Sequence, residues 1–188
     1  WTQIGQDIDG EAADDKSGLS LSLSSDGSLV AIGAQGNDGN GSNAGHVRIF
    51  ENISGLWTQI GQDIEGEDAG DWDGSSVSLS SDGNTVAIGA IFNDGNGTDA
   101  GHVRIFENTG GLWSQIGQDI DGEATDDRSG ESVSLSSDGN TVAIGAYRNG
   151  FNSGHVRIYE NIGGTWSQIG QDIDGEAIYI SPFSSGLD

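Results

Sequence analysis

Residues 76–90 have the sequence SVSLSSDGNTVAIGA, and this stretch decides the fold. Residues 76–80 alternate serine with an apolar residue, and residues 85–90 form a run of mostly apolar and small side chains. Asp82 and Gly83 lie between them, and an Asp-Gly step between two such runs is typical of a β-hairpin turn. The stretch therefore predicts two short antiparallel strands joined by a tight turn.

This stretch belongs to a repeat that runs along the chain. The turn aspartate recurs every 56 residues, at Asp26, Asp82 and Asp138. The phrase W-[TS]-Q-I-G-Q-D-I begins at Trp1, Trp57, Trp113 and Trp166. The phrase G-H-V-R-I-[FY]-E-N begins at Gly45, Gly101 and Gly154. The chain therefore holds three full copies of about 55 residues, with partial copies before and after them.

Each copy is predicted to form four strands, which in the second copy are residues 76–80, 85–90, 102–107 and 113–120. Apolar residues nowhere keep helical spacing without an intervening glycine. Four antiparallel strands in about 55 residues are typical of a β-propeller blade, whereas the coils of a β-solenoid, the alternative, are usually shorter. The predicted fold class is therefore all-β, built from propeller blades.

The repeat divides the single predicted domain, residues 1–188, into five parts. These are an outer strand with its linker at 1–18, blade 1 at 19–74, blade 2 at 75–130, blade 3 at 131–175 and a divergent tail at 176–188. In the tail, the apolar residues 178–183 replace the acidic linker of the other copies and include the only proline. An interface or a cap is one interpretation of this stretch, and divergence of the repeat is the other.

Residues 130–146, GESVSLSSDGNTVAIGA, resemble the FG-GAP repeat of integrin α-subunit propellers and their bacterial relatives. Residues 154–159, GHVRIY, are similar to the G-x-V-x-[VI]-[YF] strand of that family. The repeat also resembles those of large secreted surface proteins of marine Bacteroidetes, which implies an extracellular or cell-surface role in adhesion or in a surface array. The calcium loop that family members often carry, D-x-[DN]-x-D-G-x-x-D, is cut here to Ser-Ser-Asp-Gly, so that calcium site is not transferred.

The charge of the chain argues against several kinds of partner. Its 188 residues include 30 acidic and 6 basic side chains, for a net charge of −24, and 33% of them are hydrophobic. Such values usually indicate disorder, but the regular repeat argues for a folded chain. The few basic residues form no patch for nucleic acid or an anionic membrane surface, and no apolar run is long enough for membrane insertion.

Acidic segments between consecutive blades are the first candidate sites. Their carboxylates occupy alternate positions of an extended chain and therefore project to one side. They are Asp7, Asp9, Glu11, Asp63, Glu65, Glu67, Asp119, Asp121 and Glu123. Ca²⁺ takes six to eight such oxygen ligands, so one hypothesis is a Ca²⁺ site at each blade junction. The alternative is a solvated acidic rim that keeps the protein soluble and needs no cofactor.

Two glycine-rich loops offer a second set of oxygen ligands. They contain Asp38 and Asn40 in the first copy, and Asp94 and Asn96 in the second. The spacing is that of the first ligands of an EF-hand loop, but the closing bidentate acid is missing. The third copy lacks the aspartate, which favours plain turns over Ca²⁺ binding.

Tryptophans are the candidate contacts for a ligand. Trp57, Trp113 and Trp166 begin outer strands and are predicted to lie between blades, where a lectin propeller would stack them on sugars. Trp72 is present in the second copy alone, between two aspartates, and is either an exposed contact or a local packing variant. A carbohydrate-binding lectin propeller is therefore the alternative function.

The sequence offers no catalytic constellation that is unique to one copy. His46, His102 and His155 occupy the same position in each copy, which is typical of a structural role. A nucleophile elbow, a P-loop and an HExxH motif are all lacking. The sequence therefore predicts that the protein is not an enzyme but an extracellular structural or adhesion module.

Three blades do not close a propeller, which typically has 4–8 blades, and open strand edges favour pairing with another chain. The chain begins without methionine and inside a repeated phrase, so we expect a piece of a longer polypeptide. The predicted partners are the remaining blades of a longer chain, other copies in a ring or filament, or a copy that exchanges terminal strands. A cell-surface protein or a glycan is the predicted external ligand.

Overall fold

Three antiparallel sheets, one for each copy of the repeat, form the protein in a computed structural model that describes residues 1–176. The first sheet consists of β1 (Ser20–Leu23), β2 (Leu29–Ala34), β3 (His46–Ile53), β4 (Leu56–Gln59) and β5 (Ile64–Glu65). The second consists of β6 (Asp73–Leu79), β7 (Thr85–Ala90), β8 (His102–Asn108), β9 (Trp113–Gln115) and β10 (Ile120–Asp121). The third consists of β11 (Ser132–Leu135), β12 (Thr141–Ala146), β13 (His155–Asn161), β14 (Trp166–Gln168) and β15 (Ile173–Asp174). One helical turn, α1 (Asn149–Asn152), precedes β13, and the apolar stretch 178–183 lies outside the described residues.

Consecutive strands of each sheet are neighbours, as in a propeller blade. In the second sheet β6 pairs with β7, β7 with β8, and β8 with the outer strand, and every pair is antiparallel. The register places Val77 opposite Ile88, and Val86 opposite Phe106. The predicted all-β fold with four-stranded blades is confirmed.

The outer strand differs from the prediction because it is split. One strand is predicted over 113–120, but the structure has β9 and β10, which pair with different parts of β8. Gly117 lies between them with φ +76°, which takes the backbone out of the extended conformation. Gln118 then donates a hydrogen bond to the backbone oxygen of Trp166 in the next blade, at 2.8 Å. The split therefore replaces ladder bonds within one blade with a contact to the next.

Residues 1–8 form no strand, although an outer strand is predicted there. An outer strand pairs with the third strand of its own blade, and residues 1–8 pair with no strand among the described residues. The segment instead lies against blade 1, where the side chain of Gln6 donates to the backbone oxygen of Trp57 at 2.8 Å. The first strand of blade 2 is predicted over 76–80, and β6 begins earlier, at Asp73.

The hairpin turns use their aspartates as the sequence indicates. Oδ1 of Asp82 accepts hydrogen bonds from the hydroxyl of Ser80 at 2.7 Å and from the backbone N–H of Asn84 at 3.1 Å. At the equivalent turn of blade 1, hydrogen bonds from Ser28 and Ser24 lower the pKa of Asp26 to about 2. These carboxylates are therefore turn-forming groups.

Neighbouring blades pack face to face and share a core. Between the first two blades, Ile64 of one sheet packs with Val77 and Ile88 of the other, and the second and third blades share an equivalent core. The inner strands approach so closely that a Cβ added to Gly33 would lie 2.2 Å from the backbone oxygen of Gly74. Small residues are therefore required there, which explains the low hydrophobic content of the chain.

Two blade faces have no neighbouring blade within residues 1–176. On blade 1, Leu21 is 62% exposed, whereas the equivalent Val77 of blade 2 is 9% exposed. On blade 3, Ile173 is 57% exposed, whereas the equivalent Ile120 of blade 2 is 3% exposed. We call these surfaces the Leu21 face and the Ile173 face.

Candidate functional site

A cluster of one glutamate, one histidine and one aspartate recurs at each blade junction. The ligand atoms of each cluster lie within 4.8 Å of one another. The first cluster is Glu11, His46 and Asp63, the middle one is Glu67, His102 and Asp119, and the third is Glu123, His155 and Asp172. The glutamate belongs to the acidic segment before the blade and the other two belong to the blade itself, so each cluster spans a junction.

The β-ladder explains how the middle cluster assembles. His102 begins β8, and Asp119 directly precedes β10, which pairs with the first residues of β8. The split in the outer strand therefore brings Asp119 to the imidazole of His102. Glu67 follows β5 of the preceding blade and approaches the same point from the other side.

The histidine of each cluster is almost completely buried, and the glutamate is partly exposed. Nδ1 of His102 lies 4.0 Å from Oε2 of Glu67. Nδ1 of His46 lies 3.9 Å from Oε2 of Glu11, and it is buried without a hydrogen-bond partner among the described residues. Both distances are too long for a direct hydrogen bond. The imidazole nitrogen therefore faces the carboxylate across a gap.

An arginine two residues after each histidine contacts the other oxygen of the glutamate. Nη1 of Arg104 lies 3.5 Å from Oε1 of Glu67, and the other two clusters have the same pair at 3.6 and 3.7 Å. Each arginine also donates from Nη2 to a backbone oxygen of the acidic segment. These oxygens belong to Asp9, Glu65 and Asp121. The guanidinium groups therefore fix the acidic segments across the junctions.

The middle cluster has a further carboxylate beside it. Asp73 is fully buried, and its Oδ1 accepts a hydrogen bond from Nη2 of Arg104 at 2.7 Å. Its Oδ2 lies 3.9 Å from Nε2 of His102. The equivalent residues of the other copies are Ser17 and Ser129, so this carboxylate is a property of one copy.

Asp73 gives His102 a different pKa from that of His46. Burial lowers the pKa of His46 below its usual value of 6.5. Burial acts in the same direction on His102, but the negative charge of Asp73 outweighs it and raises the pKa of His102 above 6.5. His46 is therefore neutral at pH 7, whereas His102 holds its proton more strongly.

A recess of about 640 Å³ lies beside the middle cluster. Its carboxylates are Glu67, Asp68, Asp71, Asp94, Asp119 and Asp121. The recess therefore brings together residues from both sets of predicted Ca²⁺ ligands, the acidic segments and a glycine-rich loop. Burial raises the pKa of Asp71, as the concentration of negative charge also would.

Several of the predicted metal ligands already have hydrogen-bond partners within the protein. Asp38 and Asp94 each accept a backbone N–H from five residues further along, at 2.7 and 2.9 Å. The side-chain amides of Asn40 and Asn96 donate to backbone oxygens of the next acidic segment, at 2.8 Å each. Asp7 accepts from the side chain of Gln3 at 2.7 Å. The loops are therefore attached to the acidic segments by their amides.

Two of the predicted ligand-contact tryptophans lie in the cores between blades. Trp113 and Trp166 are each 3% exposed, and their Nε1 atoms donate to the backbone oxygens of Ile60 and Ile116. Their rings present no free face to a sugar, which removes the basis for the predicted stacking at these positions. Trp57 is half-buried on the Leu21 face.

Trp72 packs against neighbouring linkers and loops. Its ring meets Phe92 edge-on with centroids 4.7 Å apart, and Nζ of Lys16 lies 4.5 Å from the Trp72 centroid. The guanidinium carbon of Arg128 lies 4.5 Å from the centroid of Phe92. Lys16, Trp72 and Arg128 occupy equivalent positions of the repeat, so the aromatic pair joins three linkers through cation–π contacts. The packing interpretation of Trp72 is therefore favoured.

The histidines and Asp172 were not predicted as metal ligands from the sequence, and Asp73 was not distinguished from the other acids of its segment. One signal for the histidines is present in the sequence, because His46 and His102 each follow the cluster glutamate by 35 residues. A signal for Asp73 is also present, because Asp73 is an acid at a repeat position where the other two copies have serine. Only the pairing of strands in the structure shows that these residues lie close together.

Residues 65–106 match the family model of the FG-GAP repeat. The match extends from β5 across β6 and β7 into β8, and it confirms the predicted resemblance of the repeat. A comparison with curated proteins gives no significant match.

Solved structures share the fold at low sequence identity. A protein provisionally assigned as a 6-phosphogluconolactonase, from Bacteroides uniformis, matches 82% of this chain with a TM-score of 0.54 and 16% identity. The periplasmic gluconolactonase of Pseudomonas aeruginosa matches 82% with a TM-score of 0.53 and 17% identity. Hydrazine synthase of Kuenenia stuttgartiensis matches 93% with a TM-score of 0.51 and 12% identity. The chain spans 39–41% of the length of these proteins, and the likeness shows the fold alone.

These likenesses correct the prediction that the chain is not an enzyme. Proteins described as gluconolactonases have the same fold. The prediction used the repetition of blades to exclude an enzyme, and that exclusion is wrong. The physical reason is that reactive side chains can lie on loops between strands while the strands themselves repeat. Within residues 1–176, no helix is long and apolar enough to cross a membrane.

Proposed function

We propose that this chain is a propeller section of an extracellular structural or adhesion protein, and that its two open faces bind further copies of the chain head to tail. The FG-GAP match and the resemblance to repeats of secreted surface proteins support the extracellular role. The Leu21 face and the Ile173 face support the association.

The observation that carries this proposal is that the two open faces correspond to the two halves of an internal junction. Within the chain, Ile64 of blade 1 packs in one core with Val77 of blade 2. The equivalents on the open faces are Ile173 and Leu21. For the Leu21 face of one copy to fit the Ile173 face of another as blade 2 fits blade 1, residues 1–8 must move aside, because Ile8, the repeat equivalent of Ile173, already packs against that face. Because two different faces meet, such contacts continue into a ring or a filament.

Burial of apolar side chains favours this contact, and repulsion between negative charges makes it sensitive to salt. Burying an exposed leucine or isoleucine side chain contributes about 1.5–3 kcal/mol, and each face has such a residue. The net charge of −24 opposes association, and dissolved salt screens that repulsion. Association is therefore expected to strengthen as salt is added.

Sedimentation velocity over a range of protein and salt concentrations tests the proposal. The wild-type chain is expected to form species larger than the 19.4 kDa monomer, whereas Leu21→Glu and Ile173→Glu are each expected to remain smaller. Leu112→Glu is the matched control, because Leu112 is an exposed apolar residue in a turn of the covered middle blade. A wild-type chain that stays monomeric throughout, or face variants that assemble like wild type, would contradict the proposal.

A further inference from the structure

We propose that the three Glu–His–Asp clusters bind divalent metal ions of the Zn²⁺ class, and that the middle cluster binds most tightly. This inference rests on the interior of the junctions and is independent of whether copies of the chain associate. It also differs from the Ca²⁺ hypothesis, which rests on the acidic segments without their histidines.

The spacing of the atoms fits a bridging ion. The distances from histidine Nδ1 to glutamate Oε2 are 3.9, 4.0 and 3.6 Å in the three clusters. A tetrahedral ion with bonds of about 2.0–2.2 Å holds its ligand atoms roughly 3.4 Å apart, so the glutamates need to shift by a few tenths of an ångström. The glutamates are partly exposed and free to make that shift. The aspartates, whose ligand atoms lie within 4.8 Å of the others, need a larger shift of up to about 1.4 Å. Nδ1 of His46, buried without a partner among the described residues, faces into its cluster.

The donor atoms select the class of metal. Each cluster offers one imidazole nitrogen and two carboxylates. Imidazole suits Zn²⁺ and the neighbouring transition metals, whereas Ca²⁺ takes six to eight oxygen ligands. Three protein ligands leave a fourth position for water, and at the middle cluster Glu67 and Asp119 also line the open recess.

Asp73 explains why the middle cluster is expected to bind most tightly. A metal-bound histidine usually donates its second ring N–H to a carboxylate, which fixes the tautomer and the ring orientation. Oδ2 of Asp73 lies 3.9 Å from Nε2 of His102, so a small approach forms this hydrogen bond and leaves Nδ1 directed at Glu67. Its negative charge also offsets Arg104, which would otherwise repel the cation. In the other two clusters serine stands at this position, so both contributions are missing.

Titration calorimetry of the intact chain with Zn²⁺ alone, followed by Ca²⁺ alone, tests the proposal. Zn²⁺ is expected to bind at up to three sites, one tighter than the others, and His102→Gln and Glu67→Gln are each expected to remove the tightest site. Asp73→Ser is expected to weaken that site about 10- to 100-fold and to make the three clusters alike. Glu107→Gln is the matched control, because it removes an exposed acid from the same strand and is expected to leave binding unchanged.

X-ray absorption at the zinc edge of the wild-type chain does not depend on whether a variant folds. All three histidines of the chain belong to the clusters, so imidazole scattering from bound zinc reports on these sites alone. The expected result is one imidazole for each zinc, with oxygen ligands completing the site. Zinc bound without imidazole, no zinc binding, tight binding that survives Glu67→Gln, or Ca²⁺ binding of equal strength would overturn the proposal.

Discussion

The first and the middle junction have the same glutamate, histidine and arginine, yet they bury different charges. Beside the first cluster stands Ser17, and beside the middle cluster stands Asp73, which is bonded to Arg104. The strand pairs that carry the two histidines have the same register, although Asp73 begins β6 whereas Ser17 precedes β1. One residue in a repeat can therefore change the electrostatics of a junction while the ladder that positions the histidine stays constant. The two junctions also differ in cover, because the middle blade is packed on both faces and the first on one.

The largest expected difference between these regions concerns the repeated tryptophan. Trp113→Ala removes a ring that is buried between blades and is expected to cost about 3–5 kcal/mol of unfolding free energy. Trp57→Ala, on the Leu21 face, is expected to cost less, because that ring is already partly exposed to water. Urea denaturation measures both. Equal losses would show that the Leu21 face is not open in solution.

The next effect concerns the buried ion pair. Asp73→Ser gives the middle junction the residue of the other two, and it removes a hydrogen bond between charged groups that is worth about 1.5–3 kcal/mol. Arg104 keeps its bond to the backbone oxygen of Glu65, so the chain is expected to remain folded. Urea denaturation is again the measurement. An unchanged stability would mean that the cost of desolvating the pair cancels its attraction.

The two junctions are also expected to respond differently to pH. Since the folded pKa of His102 is raised, its contribution to stability is present below pH 6.5 and is lost as the pH rises through the folded pKa. The folded pKa of His46 is lowered, so its contribution is present above pH 6.5 and is lost as the pH falls. NMR titration of the imidazole protons is expected to show His102 titrating at higher pH than His46.

Asp73→Ser sharpens the titration experiment, because it removes the charge that raises the pKa of His102. In this variant His102 is expected to titrate below 6.5, like His46. If the two histidines already titrate together in the wild-type chain, the proposed influence of Asp73 is absent.

The smallest effect is expected where the copies do not differ, at the hairpin turns. Asp82→Ala removes three hydrogen bonds at a largely exposed turn and is expected to cost about 0.5–1.5 kcal/mol. The equivalent changes at Asp26 and Asp138 are expected to act in the same direction, because each of these aspartates accepts the equivalent serine hydroxyl and backbone N–H. Thermal unfolding measures all three, and a strong dependence on the copy would contradict the equivalence of the turns.

Local patterns in the sequence were sufficient to predict the strands and turns. The alternation at 76–80 and the Asp82-Gly83 step predict the first hairpin, and β7 has the predicted bounds of residues 85–90. These features depend on neighbouring residues, so the sequence displays them directly. The split outer strand was not predictable in this way, because Gln118 turns outward to meet a tryptophan 48 residues further along.

The candidate site was predictable only in part, since its residues come from distant segments. The acidic residues Glu67 and Asp119 were identified as candidate ligands, but the pairing of β10 with β8 is what joins them to His102. A histidine repeated in every copy indicates a structural role when copies are considered separately. The same histidine becomes a candidate metal ligand when residues from two adjoining copies are considered together.

The central claim is that the two open faces of this chain are complementary. Mixing equal amounts of the Leu21→Glu and Ile173→Glu variants tests it most directly, because each variant retains one intact face. Sedimentation velocity is expected to show monomers for each variant alone and a one-to-one dimer for the mixture, at twice the 19.4 kDa of the monomer. A mixture that stays monomeric, or one that grows beyond the dimer, would contradict the claim.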